Sequence, residues 1–442
     1  MAKLMQKIDY IRDIPRAPGS RVRIGGRVSR LNDLKSVRFI WVRDITGAVQ
    51  LTILKGNTDP NILKMAEELV PNCFVIVEGV VPQEIKVASG MEIIPEKIEV
   101  VSRPQQPLPI DIEGVTETGL DKRLDWRALD LRNPRQMAIF LIESKLLEGL
   151  QKYLYSRKFM QTFTPSIMGA SSEGGSEVFS FNHFGKNAYL RQDPQLHREL
   201  LMLAGFEKIY EIGPSWRAEL SNTPVHMTEH RTCAAEISFI DSEKDVMELE
   251  ENLVASAVKM VVEGCGEELK TLGVTLEVPK TPFPVLEFPK VYDILEEFGF
   301  KLKRGEEDYN RQGEEALAKY VKEKYSSDFF FVNRFPYAKK PFYVMRVDED
   351  PTWARSVDLI YKGLELSSGG QREHRYEKIV EQAKGKGMDV EELKWFTEFF
   401  RYGAPPHGGF SIGIERFTAK LLNIQNVRET TLFPRAPDRI IP

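Results

Sequence analysis

The chain has 442 residues, with 61 Lys and Arg against 65 Asp and Glu, 42% hydrophobic and 29% charged residues, and a formal net charge of −4. That length exceeds one ordinary domain, and the composition is that of a soluble globular protein of two or three domains. No apolar run approaches the roughly eighteen residues of a membrane span, "MAKLMQKIDYIRDIPRAPGS" has no secretory core, and Cys73, Cys233 and Cys265 are too scattered for a disulfide framework, so a reducing cytoplasmic setting without membrane attachment is expected.

Charge is spread unevenly: residues 1–56 hold twelve Lys/Arg and four Asp, a local balance of +8, and the remainder is acidic. A basic segment of this kind is either a solvated face or a footprint for phosphates. Residues 20–102 read as short strands, "RVRIGGRVSRL", "VRFIWVRD", "GAVQLTIL", "CFVIVEGVV" and "GMEIIPEKIEVV", with a tight link at Asp44–Gly47 and a helical spacing in "DPNILKMAEELV". Five strands with a helix between the third and fourth predict an OB-type β-barrel over residues 1–104, a sandwich being the alternative topology. The proline-rich stretch "RPQQPLPIDIEGVTETGLD" predicts a connector, taken as 105–135.

From about residue 137 the pattern changes to a long amphipathic helix, "AIFLIESKLLEGLQKYLYSRKF", followed by a strand-like run containing Pro165. Further strands are expected at "NAYLRQ", "KIYEIGPSWRAE", "CAAEISFID" and "SVDLIYKGLELSSG". Helices are expected at "DPQLHRELLMLAG" and "SEKDVMELEENLVASAVKMVVEGC". Residues 275–345 read as an insertion with charged helices. Runs of strands with helices around them predict an α+β domain over 136–442, built on an antiparallel sheet flanked by helices.

Several stretches can carry chemistry. There is no P-loop and no GxGxxG after a strand, so a nucleotide would be held by another device. His226 and His230 are the only histidines four apart, which is thin support for a His-based metal site. In "ARSVDLIYKGLELSSGGQR", Asp358, Glu365 and Arg372 lie on what reads as one buried strand interrupted by glycine, where unpaired charge is expensive. The pattern fits an internal ion-pair network or a site for a ligand bearing a metal and a carboxylate. "SWRAELSNTPVHMTEH" alternates Arg217 and Glu219 before a polar loop, fitting a purine and a phosphate or merely an edge hairpin with a surface ion pair. "PPHGGFSIGIERFTAKLL" runs a glycine-rich strand into a helix that starts near Arg416, an arrangement suited to phosphate.

Taken in order, these stretches resemble the three signature motifs of class II aminoacyl-tRNA synthetases: the long helix and strand ending at Pro165, "WRAE" with its loop, and "GIERF". "SEGGSEVF", "QDPQLHREL", "GLELSSGGQREH", "YGAPPHGG" and "LFPRAPDRIIP" are similar to the aspartyl/asparaginyl subgroup, nearest to its archaeal and eukaryotic-type aspartyl members, and the likeness spans essentially the whole chain. The resemblance implies a cytoplasmic homodimer that uses ATP and Mg²⁺ to join L-aspartate to tRNA(Asp), with tRNA(Asn) left open as a second acceptor. It implies that Asp358, Glu365 and Ser368 hold Mg²⁺, that Glu365 also serves ATP, and that Arg217 and Arg416 are catalytic contacts to the α- and γ-phosphates. Glu219 would read the adenine amino group and His226 would lie over the phosphates. Ser172, Glu173 and Gln195 match the amino-acid pocket and its closing loop, and Arg372 would pair with the side-chain carboxylate. Phe39 and Gln50 match positions that stack on and hydrogen-bond an anticodon base, with Arg27 and the "KVASG" loop nearby.

Four positions depart from the subgroup's pattern. Arg198 replaces a lysine and Asp193 a serine of "QSPQLYK"; Ala234 stands where an acid is usual, although Glu236 is kept; and Val225 replaces an arginine before His226. The lost acid at 234 and the gained one at 193 either compensate each other or mark a different substrate. The expectation is that Arg198 and Arg372 bracket the aspartate carboxylate while Asp193, with Glu173 and Gln195, holds the α-ammonium group. The rival readings are an asparaginyl enzyme, a synthetase-like protein activating another acidic amino acid without loading tRNA, and a pure tRNA-binding module.

Overall fold

In the computed structural model, which describes residues 9–442 apart from 86, 88, 89, 170–177, 221 and 222, the chain divides between Pro109 and Ile110. In the first unit, β1 (Arg21–Asp33), β2 (Val37–Arg43), β3 (Ala48–Leu54), β4 (Phe74–Val80) and β5 (Glu92–Ser102) close into a barrel of order β1-β2-β3-β5-β4. β1 pairs with both β2 and β4, and a register shift between Val28 and Arg30 bends it between the two. Strict alternation in "VRFIWVR" sends Ile40 and Val42 into the barrel and leaves Phe39 and Trp41 on its outer face. Helix α1 (Pro60–Glu67) lies between β3 and β4, with Asp59 capping the amide of Asn61 and Pro60 at its first position. The closed barrel agrees with the OB-type expectation; the sandwich alternative does not form.

The second unit corrects the predicted linker. Residues 120–130 form two short helices, α2 (Leu120–Asp125) and α3 (Arg127–Asp130). Arg127 is buried to 1% exposure and its guanidinium donates to the carbonyls of Glu429 (3.0 Å), Thr431 (3.0 Å) and Leu432 (3.1 Å). An arginine caged by carbonyls and by Asp130 ties this segment to the C-terminus of the unit, so only the stretch up to Pro109 is outside it.

Helix α4 (Pro134–Ser156), capped by Asn133, buries Ile142, Leu146, Leu150 and Leu154 against α6 (Glu243–Gly264) and one face of the central sheet. The strands of the unit are β6 (Met160–Gln161), β7 (Ile167–Met168), β8 (Ser180–His183), β9 (Lys186–Leu190), β10 (Lys208–Trp216), β11 (Glu229–Ser238), β12 (Val285–Glu287), β13 (Phe329–Asn333), β14 (Ser356–Tyr361), β15 (Leu364–Gln371) and β16 (His407–Gly413). The main sheet is eight-stranded in the order β12-β13-β14-β15-β16-β11-β10-β6, and β7-β9-β8 form a small separate sheet. Pairing is antiparallel from β13 through β10, as expected, but parallel at the two edges, β12·β13 and β10·β6. Around the sheet lie α5 (Gln195–Leu203), α7 (Gly266–Leu272), α8 (Lys290–Glu297), α9 (Arg311–Tyr325), α10 (Tyr376–Gly385), α11 (Lys394–Thr397) and α12 (Ile414–Leu421).

Residues 275–345 are no peripheral insertion. They supply β12 and β13 to the sheet, and "FFFVN" of β13 is buried throughout, with Phe330 and Val332 packed on Leu317 and Val321 of α9. The charged residues of α9 that suggested an insertion are its solvated face only.

Behind the sheet, Glu250 of α6 is 1% exposed and accepts from the Ser367 hydroxyl, while its Oε2 has no partner among the described residues. Burial pushes this carboxyl from its ordinary 4.5 up to about 8. The folded state therefore holds the proton more tightly than the unfolded chain. The stability this provides is complete below about 4.5 and is lost as pH rises toward about 8. Thermal melts of Glu250→Gln should show a flatter decline across that window, by a few °C at its upper end; parallel pH profiles for the two proteins would contradict the assignment.

Candidate active site

The strand read as carrying Asp358 and Glu365 together is a hairpin. β14 turns into β15 through Lys362 (φ 48°) and Gly363 (φ 69°), a two-residue turn of left-handed residues. Asp358 then lies opposite Ser368. The pairing passes from Leu359↔Ser367 to Ile360↔Glu365, so Leu366 is an extra residue in β15. Without that bulge, period-2 alternation would send Glu365 to the face opposite Ser368. With it, Ser367 and Leu366 turn back toward α6 and the core, and Glu365 comes to the face that carries Asp358 and Ser368.

A cavity of about 320 Å³ opens on this face. At one end Glu365 and Ser368 line it beside Arg416, which opens α12 and donates from Nε to the Val225 carbonyl at 3.4 Å. The valine at 225, where an arginine is common, thus meets Arg416 only through its main chain. Arg217, just beyond β10, and Glu219 also line the cavity, 3.6 Å apart. His226 is tethered by Thr223 at 2.6 Å from Nδ1, with Nε2 at 3.7 Å from Glu219. Burial lowers His226 below its ordinary range, and burial with Arg217 presses His230 down to about 4, so both rings are neutral at pH 7. His230 lies on β11 opposite Ser215, not on a helix face shared with His226.

Asp358 is itself covered. The Lys340 ammonium lies 3.0 and 3.2 Å from its two oxygens and 3.7 Å from the Phe335 ring centre, and Asp358 does not line the cavity. Burial, then the Asp358 charge, push Glu365 up to about 7. Two carboxylates and a hydroxyl gathered on one face, with a lysine as resident counter-charge, are a hard-oxygen set that fits Mg²⁺. Among the described residues no three His, Cys, Asp or Glu side chains converge as a metal cage, so such a cation would complete its shell with phosphate and water.

The other end of the cavity is lined by Asp193, Gln195 and Arg372. Arg372 is buried, donating from Nε to Glu236 at 3.0 Å and from Nη2 to Gln195 Oε1 and the Gly409 carbonyl, both at 3.1 Å. Gly409 permits this approach, because a Cβ there would collide with the Ala235 carbonyl and the Glu236 carboxylate. Arg198 departs from expectation. It is 1% exposed and absent from the cavity lining, and its Nη2 donates to Asp193 at 2.7 Å and Gln195 at 2.9 Å. It therefore does not bracket a substrate with Arg372; it is the counter-ion behind Asp193. Burial alone would raise the Asp193 carboxyl, but Arg198 outweighs it and holds the group below the usual carboxylate range. The acid gained at 193 thus pairs with the arginine at 198, while Ala234 sits buried opposite Glu211, which pairs with Arg191 at 2.6 Å. Ser172 and Glu173 lie outside the described residues.

In the first unit, Phe39 and Gln50 share the outer barrel face. Gln50 lies opposite Trp41 and donates to Thr52 at 3.0 Å, and Trp41 stands 6.2 Å from Phe39 with Arg30 over its ring at 5.2 Å. Two half-buried aromatic rings and an arginine make a platform for unstacked bases, with the Gln50 amide largely buried beside them. Trp41 was missed in the sequence, although alternation from Phe39 points to it. Arg27 instead turns to Asn72 at 3.0 Å, and of the "KVASG" loop only Val87 and Gly90 are described. Lys340 had no spacing signal, and the four-residue spacing of His226 and His230 pointed to a metal rather than to this cavity; only the fold brings Lys340 and His230 to it.

Residues 119–437 match the family of class II tRNA synthetases for D, K and N, and residues 22–101 match the OB-fold nucleic acid binding domain. The chain belongs to the class II tRNA synthetases of this group. Among curated relatives, the aspartate–tRNA(Asp) ligase of Pyrococcus furiosus is 43% identical over 96% of this chain and 97% of its own length. The aspartate–tRNA(Asp/Asn) ligase of Methanopyrus kandleri is 40% identical over 99% and 100%. The asparaginyl-tRNA synthetase of Pyrococcus horikoshii with asparaginyl-adenylate superposes with a TM-score of 0.91 at 30% identity, covering 99% and 100% of the two chains.

Proposed function

We propose that the protein activates L-aspartate with ATP and transfers the aspartyl group to the 3′-terminal adenosine of tRNA(Asp), acting as a cytoplasmic homodimer. The observation that carries this reading is one cavity with Arg372 and Asp193 at one end and Arg217 and Arg416 at the other. The aspartate ligases among its relatives support the choice of amino acid. The α-carboxylate of aspartate attacks the α-phosphorus of ATP and pyrophosphate leaves; the adenosine hydroxyl then attacks the carbonyl and AMP leaves. Neither step needs a protein nucleophile, so positioning and charge stabilisation carry the rate. Arg217 and Arg416 receive phosphate charge, Glu219 and neutral His226 orient the nucleotide, Asp193 takes the α-ammonium, and Arg372 takes the side-chain carboxylate. Asp358, Glu365 and Ser368 would hold Mg²⁺, which when bound neutralises phosphate charge.

Aspartate-dependent charging of a tRNA(Asp) transcript by the full chain tests the proposal; adenylate formation without charging would sink it. Transcripts differing only in the third anticodon base separate an Asp-only enzyme from one that also charges tRNA(Asn). Phe39→Ala should weaken charging by roughly 10-fold or more through KM for tRNA, the loss of one base–aromatic stack, with pyrophosphate exchange unchanged. An equal loss in both assays would remove Phe39 from the anticodon face.

A further inference from the structure

Glu199 on α5 and His407 at the start of β16 are both 0% exposed, and neither lines the cavity. Glu199 Oε1 accepts from Gln195 Nε2 at 3.2 Å. Its Oε2 faces His407 Nε2 at 3.6 Å, and neither of these two atoms has a hydrogen-bond partner among the described residues. His407 Nδ1 lies 2.8 Å from the Pro405 carbonyl, which can only accept, so Nδ1 carries a hydrogen. A bare carboxylate facing an imidazole lone pair at a fully buried position would set two acceptors against each other. At 3.6 Å the two atoms are just beyond hydrogen-bond distance; one proton, carried by either residue, turns the repulsion into attraction, lets a small shift close the bond, and leaves the pair neutral as a unit. Burial raises the Glu199 carboxyl; burial would lower the imidazole, but its contact with Glu199 outweighs this and raises it, in keeping with a tightly held proton.

The pair has a consequence at the cavity. Because Gln195 commits its NH₂ group to Glu199, its carbonyl oxygen must face the other way, where Arg198 Nη2 (2.9 Å) and Arg372 Nη2 (3.1 Å) both donate to it. An inverted amide would turn donors onto two guanidinium groups. His407 also anchors the main chain of Arg372, whose amide donates to the His407 carbonyl at 2.8 Å. We infer that Glu199 and His407 share one proton and act as a positioning pair that fixes the Gln195 amide and, through it, the direction in which Arg372 meets the amino-acid side chain. This rests on reading the cavity as the amino-acid pocket. Neither residue touches substrate; both set specificity through Gln195 and Arg372.

The test compares full-length wild type, Glu199→Gln and Glu199→Leu in amino-acid-dependent pyrophosphate exchange. A glutamine at 199 can still accept from Gln195 and donate to the His407 lone pair; leucine can do neither. Glu199→Leu should raise KM for aspartate by roughly 10–100-fold, the loss of one or two hydrogen bonds around buried charge, and erode discrimination against asparagine, with kcat and KM for ATP little changed. Glu199→Gln should restore KM to within about 3-fold, since both hydrogen bonds are remade. A folded Glu199→Leu with wild-type KM and selectivity, or a folded Glu199→Gln as impaired as the leucine variant, overturns the proposal. Should Glu199→Leu not fold, ring ¹⁵N NMR of His407 decides: Nδ1 protonated in both wild type and Glu199→Gln, with Nε2 protonated or hydrogen-bonded as an acceptor in wild type and an acceptor in Glu199→Gln. A wild-type Nε2 with the shift of a free lone pair, neither protonated nor hydrogen-bonded, overturns it. If the wild type activates another amino acid instead, the aspartate reading fails, and the same comparison run with that amino acid still tests the pair.

Discussion

Arg372→Leu is expected to lower aspartate-dependent pyrophosphate exchange by roughly 2–5 kcal/mol, about 30- to 5,000-fold, the range for truncating one partner of a buried charge pair. The reason lies in what the guanidinium touches. It is the only arginine of the 198/372 pair that lines the cavity, and it holds the fully buried Glu236, the Gly409 carbonyl and Gln195 in place. Leucine removes the cation offered to the substrate and leaves Glu236 as an uncompensated buried charge. Arg372→Lys should recover little of the loss, because a point charge cannot serve Glu236, Gln195 and a ligand in one plane. Exchange kinetics beside a thermal melt would check this; a folded leucine variant within a few-fold of wild type would remove Arg372 from substrate recognition.

Glu365→Gln should lower exchange on the order of 10²–10³-fold or more, comparable to deleting one preorganised electrostatic contact to a transition state. The substitution keeps shape and leaves the Glu365 amide free to donate to Glu314, as it does at 3.2 Å. Folding should not suffer. Glu365 is held near 7 by burial and by Asp358, so its ionised form is a cost to the fold that glutamine lacks. Normal exchange in a folded Glu365→Gln would sink the assignment of Asp358, Glu365 and Ser368 to Mg²⁺.

Much of this was legible in the sequence where periodicity and chemistry coincide. Alternation in "VRFIWVR" gave the barrel strand, the resemblance named Phe39, which is half-buried on its outer face, and the residues around Arg217 and Arg416 stand at the strand end and helix start where they were expected. Asp358 and Glu365 were recognisable as a pair, but not the means of pairing them. Spacing cannot reveal a bulge at Leu366, and a two-residue turn at Lys362–Gly363 reads as a glycine interruption within one strand. Composition misled twice: proline-rich sequence hid α2 and α3, whose attachment depends on one arginine reaching three distant carbonyls, and surface charge on α9 hid two sheet strands on either side of it. Arg198 was recognised as unusual and misplaced, because only packing shows that it stands behind Asp193 and Gln195. Glu199 and His407 gave no signal at all, since nothing local relates a helix residue to a strand so far along the chain.

The central claim is that this cavity selects aspartate, and pyrophosphate exchange measured in parallel with aspartate, asparagine and glutamate tests it most directly. A buried guanidinium set to meet a carboxylate is left unsatisfied by the isosteric amide, so aspartate should be preferred over asparagine by on the order of 10⁴ in kcat/KM. An enzyme that activates asparagine, or another acid, in preference to aspartate would keep its place in the family and contradict the substrate argued for it.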